Sequence, residues 1–159
     1  MTPISRKMVA LLAALLALII PFAGCGEDTK ADEPPKINYG VDVCSRCGMI
    51  ISEERYASGI VDEDGDALIF DDAGEMIFML QEEGVNDRRV WVHDAESLEW
   101  IDGTEAYYVV SMDVVTPMGT GVTAFAEESD AEAFAAENQG TVMTWDEMLS
   151  DWEWQRMHE

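Results

Sequence analysis

Three consecutive stretches decide how this chain folds: Tyr56-Ala57-Ser58-Gly59-Ile60-Val61, then Glu63-Asp64-Gly65-Asp66, then Ala67-Leu68-Ile69-Phe70. Two short apolar, β-prone runs on either side of an acidic segment with an Asp-Gly pair predict an antiparallel hairpin. Asp71 or Asp72 can then cap a helix, because a short carboxylate accepts the unpaired N–H groups of a first turn. Met76, Ile77, Met79 and Leu80 keep helical spacing on one face, and Gly84 is placed to end the helix. Val90-Trp91-Val92 returns as a third strand.

The same order recurs downstream. Ala106-Tyr107-Tyr108-Val109-Val110 predicts a strand, Thr116 to Gly121 a glycine-rich loop, and Val122-Thr123-Ala124-Phe125 the paired strand. Ser129 is the expected cap of a helix through Ala133, Phe134 and Ala136, ended by Gly140, with Val142-Met143 as the closing strand. Phe70 and Phe125, and likewise Gly84 and Gly140, stand about 55 residues apart, the mark of a duplicated unit. The expected fold is therefore α+β: two similar strand-strand-helix-strand units in tandem, at about 43–95 and 100–145, followed by a C-terminal helix. Thr144-x-x-Glu147 fits a capping box for that helix, with Met148, Leu149 and Trp152 on one face.

The N-terminus sets the compartment. Arg6 and Lys7 precede an apolar run from Met8 to Ile20, shorter than the roughly 20 residues a bilayer span needs. Ala23-Gly24-Cys25 after Pro21-Phe22 resembles a lipobox, so residues 1–24 are expected to be a lipoprotein signal peptide and Cys25 the lipidated first residue. Cys25 is then committed to anchoring the chain to a membrane. Gly26 to Lys36 is polar, contains Pro34-Pro35 and has no apolar period. Residues 25–38 are accordingly expected to be a flexible tether, and 39–159 the folded domain.

The chain carries a formal charge of −24. Such a field argues against nucleic acid as a partner and suits a cation or a basic protein face. Adaptation to high salt would give the same balance, so the charge alone assigns no function.

Chemistry concentrates in Cys44-Ser45-Arg46-Cys47-Gly48-Met49, which puts two thiols and a thioether within one loop. Soft sulfur donors select Cu(I), and also Zn(II) or iron–sulfur clusters where thiolates suffice. A closed structural zinc site generally takes four Cys or His ligands. Besides Cys25 the chain offers only Cys44, Cys47, His93 and His158. Cu(I), content with two or three sulfurs, fits more easily. A plain disulfide or a redox pair remains open for an exported protein. Met118, between Pro117 and Gly119 in a tight loop, is a second candidate, whereas Met76, Met79 and Met148 read as core. His93-Asp94 could be a ligand with a supporting carboxylate, but a satisfied strand-end histidine is the stronger reading. Asp71-Asp72 is read first as a helix cap and only second as part of a site.

Taken in series, the lipobox, Cys44-x-x-Cys47-Gly48-Met49, Arg55-Tyr56-Ala57, Phe70-Asp71-Asp72-x-Gly74-x-Met76 and Thr116-Pro117-Met118-Gly119 before Ala124-Phe125 resemble the NosL family. Those are copper-binding lipoproteins, similar in architecture to part of organomercurial lyase. The resemblance implies an extracytoplasmic Cu(I) metallochaperone, lipid-anchored on a cell or outer membrane. It would serve assembly of the copper centres of nitrous oxide reductase, with that enzyme or its membrane maturation complex as partner. It also implies Cys47, Met49 and Met118 as metal ligands, with Cys44 a further one, and no catalytic residues. Two alternatives stand beside it: a thiol-dependent lyase or reductase using Cys44 and Cys47, and a general copper-sequestering lipoprotein. For the enzyme, nothing in the sequence places an acid such as Asp71 or Asp94 against the thiols.

Overall fold

A computed structural model describes residues 32–153. The signal segment, Cys25, most of the expected tether and His158 lie outside the described residues. Among those described, no helix is long and apolar enough to cross a membrane.

The hairpin forms where the sequence places it. Strand β1 (Ser58–Val61) pairs antiparallel with β2 (Ala67–Phe70), Ser58 opposite Phe70 and Val61 opposite Ala67. The Asp62 carboxylate accepts from the N–H groups of Asp64 and Asp66 at 3.0 and 2.9 Å, which closes the turn locally. Tyr56 belongs not to the strand but to a 3₁₀ turn, Glu54–Tyr56.

Helix α1 (Ala73–Glu83) follows, and β3 (Arg89–His93) returns antiparallel along the other side of β1. Helix α1 is capped by Asp72, whose side chain accepts from Gly74 N, and ends at Gly84.

The second unit repeats the plan. Strand β5 (Tyr107–Val110) lies between β6 (Val122–Phe125) and β7 (Thr141–Met143), as β1 lies between β2 and β3. Helix α2 (Glu128–Glu137) joins β6 to β7. The α+β duplication expected from the spacing is what the chain adopts. One strand was not expected: β4 (Trp100–Asp102) pairs with β3 and widens the first sheet to the order β2-β1-β3-β4. At three residues it offers too little alternation to be read from sequence.

The caps of α2 differ from expectation. Its N-cap is Glu127, with no side-chain hydrogen bond, and Ser129 lies inside the first turn. Its C-cap is Asn138, and the left-handed residue after it is Gln139, φ 54°. Gly140 is needed for a different reason: a Cβ there would lie 2.5 Å from Val109 Cγ1.

Helix α3 (Trp145–Ser150) begins with the predicted capping box, Thr144 and Glu147 bonding reciprocally. Pro35, within the expected tether, is buried and lies where a Cβ of Gly59 would sit, 2.6 Å from its Cγ. Asp32 meets Arg89 at 2.8 Å.

The main core joins the faces of both sheets to α1 and α3. It contains Ile60, Phe70, Met76, Ile77, Leu80 and Val92 from the first unit, Tyr108 and Val122 from the second, and Met148 with Trp152 from the C-terminal segment. A smaller cluster of Val109, Phe125, Ala131 and Ala135 lies under α2. Helix α1 is thus in the middle of the molecule, and its N-terminal end carries the candidate site.

Candidate metal centre

The sulfur-bearing loop is a tight return. Val43 and Ile50 form a bridge, Cys44 N donates to Met49 O at 2.8 Å, and Gly48 N donates to Cys44 O at 3.0 Å. Gly48 takes the left-handed conformation that closes the turn, φ 75°, which a side chain would resist. Two bonds hold the loop to β2: Ser45 N to Ile69 O at 2.7 Å, and Ile69 N to Ser45 Oγ at 2.9 Å. Because Ile69 is followed by Phe70-Asp71-Asp72, this docking lays both thiols over the start of α1. Arg46 strengthens it by bonding Glu82 at 3.1 Å while its guanidinium lies 4.9 Å from the Phe78 ring centroid.

Four donor side chains meet there. Cys44 is 2 % exposed and its thiol donates to Glu75 Oε2 at 3.1 Å. Cys47, half-buried, has its thiol 3.6 and 3.8 Å from the two carboxylate oxygens of Asp71. One ligand atom from each of Cys44, Cys47, Asp71 and Glu75 lies within 4.8 Å of the others, close enough to enclose a metal ion. Burial pushes the Cys44 thiol up to about 12, and also raises Cys47 and Glu75. Without metal the thiols therefore hold their protons and share them with the carboxylates. A cation that binds here displaces those protons and meets a set of anions, at a helix end whose dipole favours negative charge.

Glu75 is not among the site residues expected from the sequence, and Asp71 is there only as a second reading after a helix cap. Asp71 lies just before the Asp72 cap and Glu75 in the first turn, so both reach the start of the helix. Both are buried among apolar neighbours, at 2 % and 3 % exposure. A glutamate inside an apolar helical face is the signal that could have found them. Of the Asp71-Asp72 pair, Asp72 is the cap and Asp71 is the site element. The structure adds what the sequence left open: an acid lies against each thiol, and two carboxylates join the two thiols to make the four donors that Cys and His alone could not supply.

The methionines come from two loops. Met49, 45 % exposed, sits on the rim of the cysteine loop. Met118, half-buried, lies in the turn closed by Gly119 N to Thr116 O, and its backbone N–H donates to Asp72 Oδ2 at 2.9 Å. That bond brings the second unit's loop to the residue next to Asp71.

His93 is elsewhere and already satisfied. Its Nδ1 lies 2.7 Å from Leu98 O, which can only accept, so Nδ1 carries the proton and Nε2 accepts from Tyr39 O–H at 2.8 Å. Trp100 stacks on the ring at 3.8 Å between centroids. Asp94 instead accepts from Ser97 and Ala126, tying the two units together.

Comparison with known proteins finds that a family model described as NosL matches residues 37–152. The copper-binding lipoprotein NosL of Stutzerimonas stutzeri is 32 % identical over 148 residues, covering 84 % of this chain and 78 % of that protein. The crystal structure of the copper chaperone NosL from Shewanella denitrificans shares the fold, with a TM-score of 0.64 at 24 % identity, over 72 % of this chain and 94 % of that one.

Proposed function

This chain belongs to the NosL family, and from that premise we propose that it is a lipid-anchored, extracytoplasmic carrier of Cu(I). It is a binding protein and not an enzyme, as the relatives' names imply: a copper-binding lipoprotein and a copper chaperone. Its recipient would be nitrous oxide reductase or the membrane complex that matures it. The lipid would sit on Cys25, which follows Ala23-Gly24.

One observation supports the reading: the thiols of Cys44 and Cys47 converge at the start of α1, beside Asp72, whose carboxylate takes the backbone N–H of Met118 from the second unit's loop. Copper is the cargo. Cys47 as thiolate with the Met49 and Met118 thioethers makes a soft, shallow set, and Cys44 can add a fourth sulfur from the buried side. Thioethers bind without losing a proton, which eases release to a stronger site. The thiol-enzyme alternative fares worse, because burial raises both thiols, and reactive cysteines need lowered ones.

The test is a competition titration of the reduced protein against a chromophoric Cu(I) chelator. The expected outcome is one Cu(I) per chain, with affinity reduced about 100-fold or more in Cys47→Ala and about tenfold in Met49→Ala and Met118→Ala. Binding undiminished in all three variants would sink the ligand assignment. Delivery is checked by incubating loaded protein with copper-free nitrous oxide reductase and following recovery of its copper absorption bands.

A second reading is favoured by the mixed donor set. Cys44, Cys47, Asp71 and Glu75 together match the ligand types of a four-coordinate Zn(II) site. Glu75→Gln separates the two: it weakens Zn(II) strongly and Cu(I) little, since a carboxylate is a poor ligand for the softer ion.

A further inference from the structure

Two motifs that lie far apart in sequence are interlocked by one side chain. Asp72, fully buried, accepts four hydrogen bonds. Its Oδ1 takes Gly74 N at 2.9 Å and Thr120 Oγ1 at 2.5 Å; its Oδ2 takes Thr116 Oγ1 at 2.6 Å and Met118 N at 2.9 Å. One bond is the local helix cap. The other three reach into the Thr116–Thr120 loop of the second unit, and both threonine hydroxyls pass the link on by accepting from Gly121 N and Val122 N. The fit is close: a Cβ on Gly74 would lie 2.4 Å from Thr120 Oγ1, so only glycine admits the loop.

Asp71, the preceding residue, faces Cys47. Successive carboxylates at one helix start therefore address the two halves of the candidate centre, one at the thiol and one at the methionine loop.

We propose that Asp72 is a positioning residue for Cu(I): it fixes the Met118 loop of the second unit against the cysteine loop of the first, so that thiolate and thioether meet one ion. This rests on the reading of Met118 as a ligand. Buried charge with four donors is a costly arrangement for a helix cap alone, since one bond from Gly74 N suffices for capping. The three remaining bonds all serve the loop. Losing an outer partner of this kind lowers metal affinity by about 10- to 100-fold, and here by no more than loss of the Met118 thioether itself.

The test is a double-mutant cycle on Cu(I) affinity, read by chelator competition, with copper-edge X-ray absorption to count sulfur ligands. Asp72→Asn and the near-isosteric Thr116→Val are each combined with Met118→Ala. Thr116→Ser, which keeps the hydroxyl, is the conservative rescue. We expect Asp72→Asn and Thr116→Val to weaken Cu(I) binding by up to about tenfold, as Met118→Ala does, to lose one sulfur from the copper shell, and to have no further effect once Met118 is alanine. Thr116→Ser should bind as wild type does. Equal losses with and without Met118 would show that Asp72 acts only on stability, and would overturn the proposal. Full affinity in Met118→Ala alone would instead remove the ligand reading, and the positioning role with it. If Asp72→Asn does not fold, Thr116→Val decides the question by the same cycle.

Discussion

Helices α1 and α2 hold the same place in their units, each joining the second strand to the third, yet they are built for different tasks. In α1, Ala73, Gly74, Glu75, Met76, Ile77, Met79 and Leu80 are all buried, and a side chain caps its first turn. In α2 only Ala131 and Ala135 are buried, and no side chain caps it. Helix α1 packs on both sheets and on α3, whereas α2 covers one face of the second sheet. The loop before β1 carries two thiols, while the segment before β5, Gly103-Thr104-Glu105-Ala106, carries no sulfur. Duplication thus supplied the scaffold twice and the metal chemistry once. The donors gathered at the helix whose start is enclosed by neighbours, because only there can buried acids and thiols be held together.

Stability should break along the same line. Leu80→Ala, in the centre of α1, is expected to cost about 3 kcal/mol in chemical denaturation. Ala135→Gly in α2 should cost about 1 kcal/mol. Comparable losses would mean that α2 is as central as α1.

The pH response should belong to the first unit. Burial lowers the His93 pKa in the folded state from its ordinary 6.5. As pH falls below 6.5 the unfolded chain takes up a proton that the fold refuses, so stability drops. The slope approaches about 1.4 kcal/mol per pH unit until the folded value is reached. His93→Gln should flatten that part of the profile; an unchanged urea midpoint profile would contradict the burial argument.

Caps offer a smaller contrast. Thr144→Ala breaks the capping box of α3 and should cost about 1 kcal/mol. Ser129→Ala in α2 should cost less than about 0.5 kcal/mol, since Ser129 is not the cap.

A change of opposite sign tests the site's cost to its own unit. Burial raises Glu75 above its ordinary 4.5, so from that pH upward the buried carboxylate charge is disfavoured in the metal-free fold and stability falls. Glu75→Gln removes that charge and keeps an acceptor for the Cys44 thiol. Its metal-free melting temperature at neutral pH should rise by about 2–4 °C, measured by calorimetry, while Zn(II) affinity falls. A lower melting temperature would mean that the carboxylate supports the fold.

Much of this protein was legible in the amino-acid order. The β1–β2 hairpin, the apolar stripe of α1, the repeat, the capping box at Thr144 and the sulfur-rich loop all depend on residues a few positions apart. Periodicity and caps record such interactions directly. The assembly of the site was not legible. Cys44 meets Glu75 across 31 positions, Cys47 meets Asp71 across 24, and Thr116, Met118 and Thr120 reach Asp72 across 44 to 48. Whether Asp71 or Asp72 capped α1 was equally undecided, because either carboxylate satisfies the local rule; the choice was made by what each one faced. Local order determined the elements and the kinds of donor available. Only the docking of two units on a shared helix decided which donors share a centre, because buried polar groups take their partners from whatever the packing brings within reach.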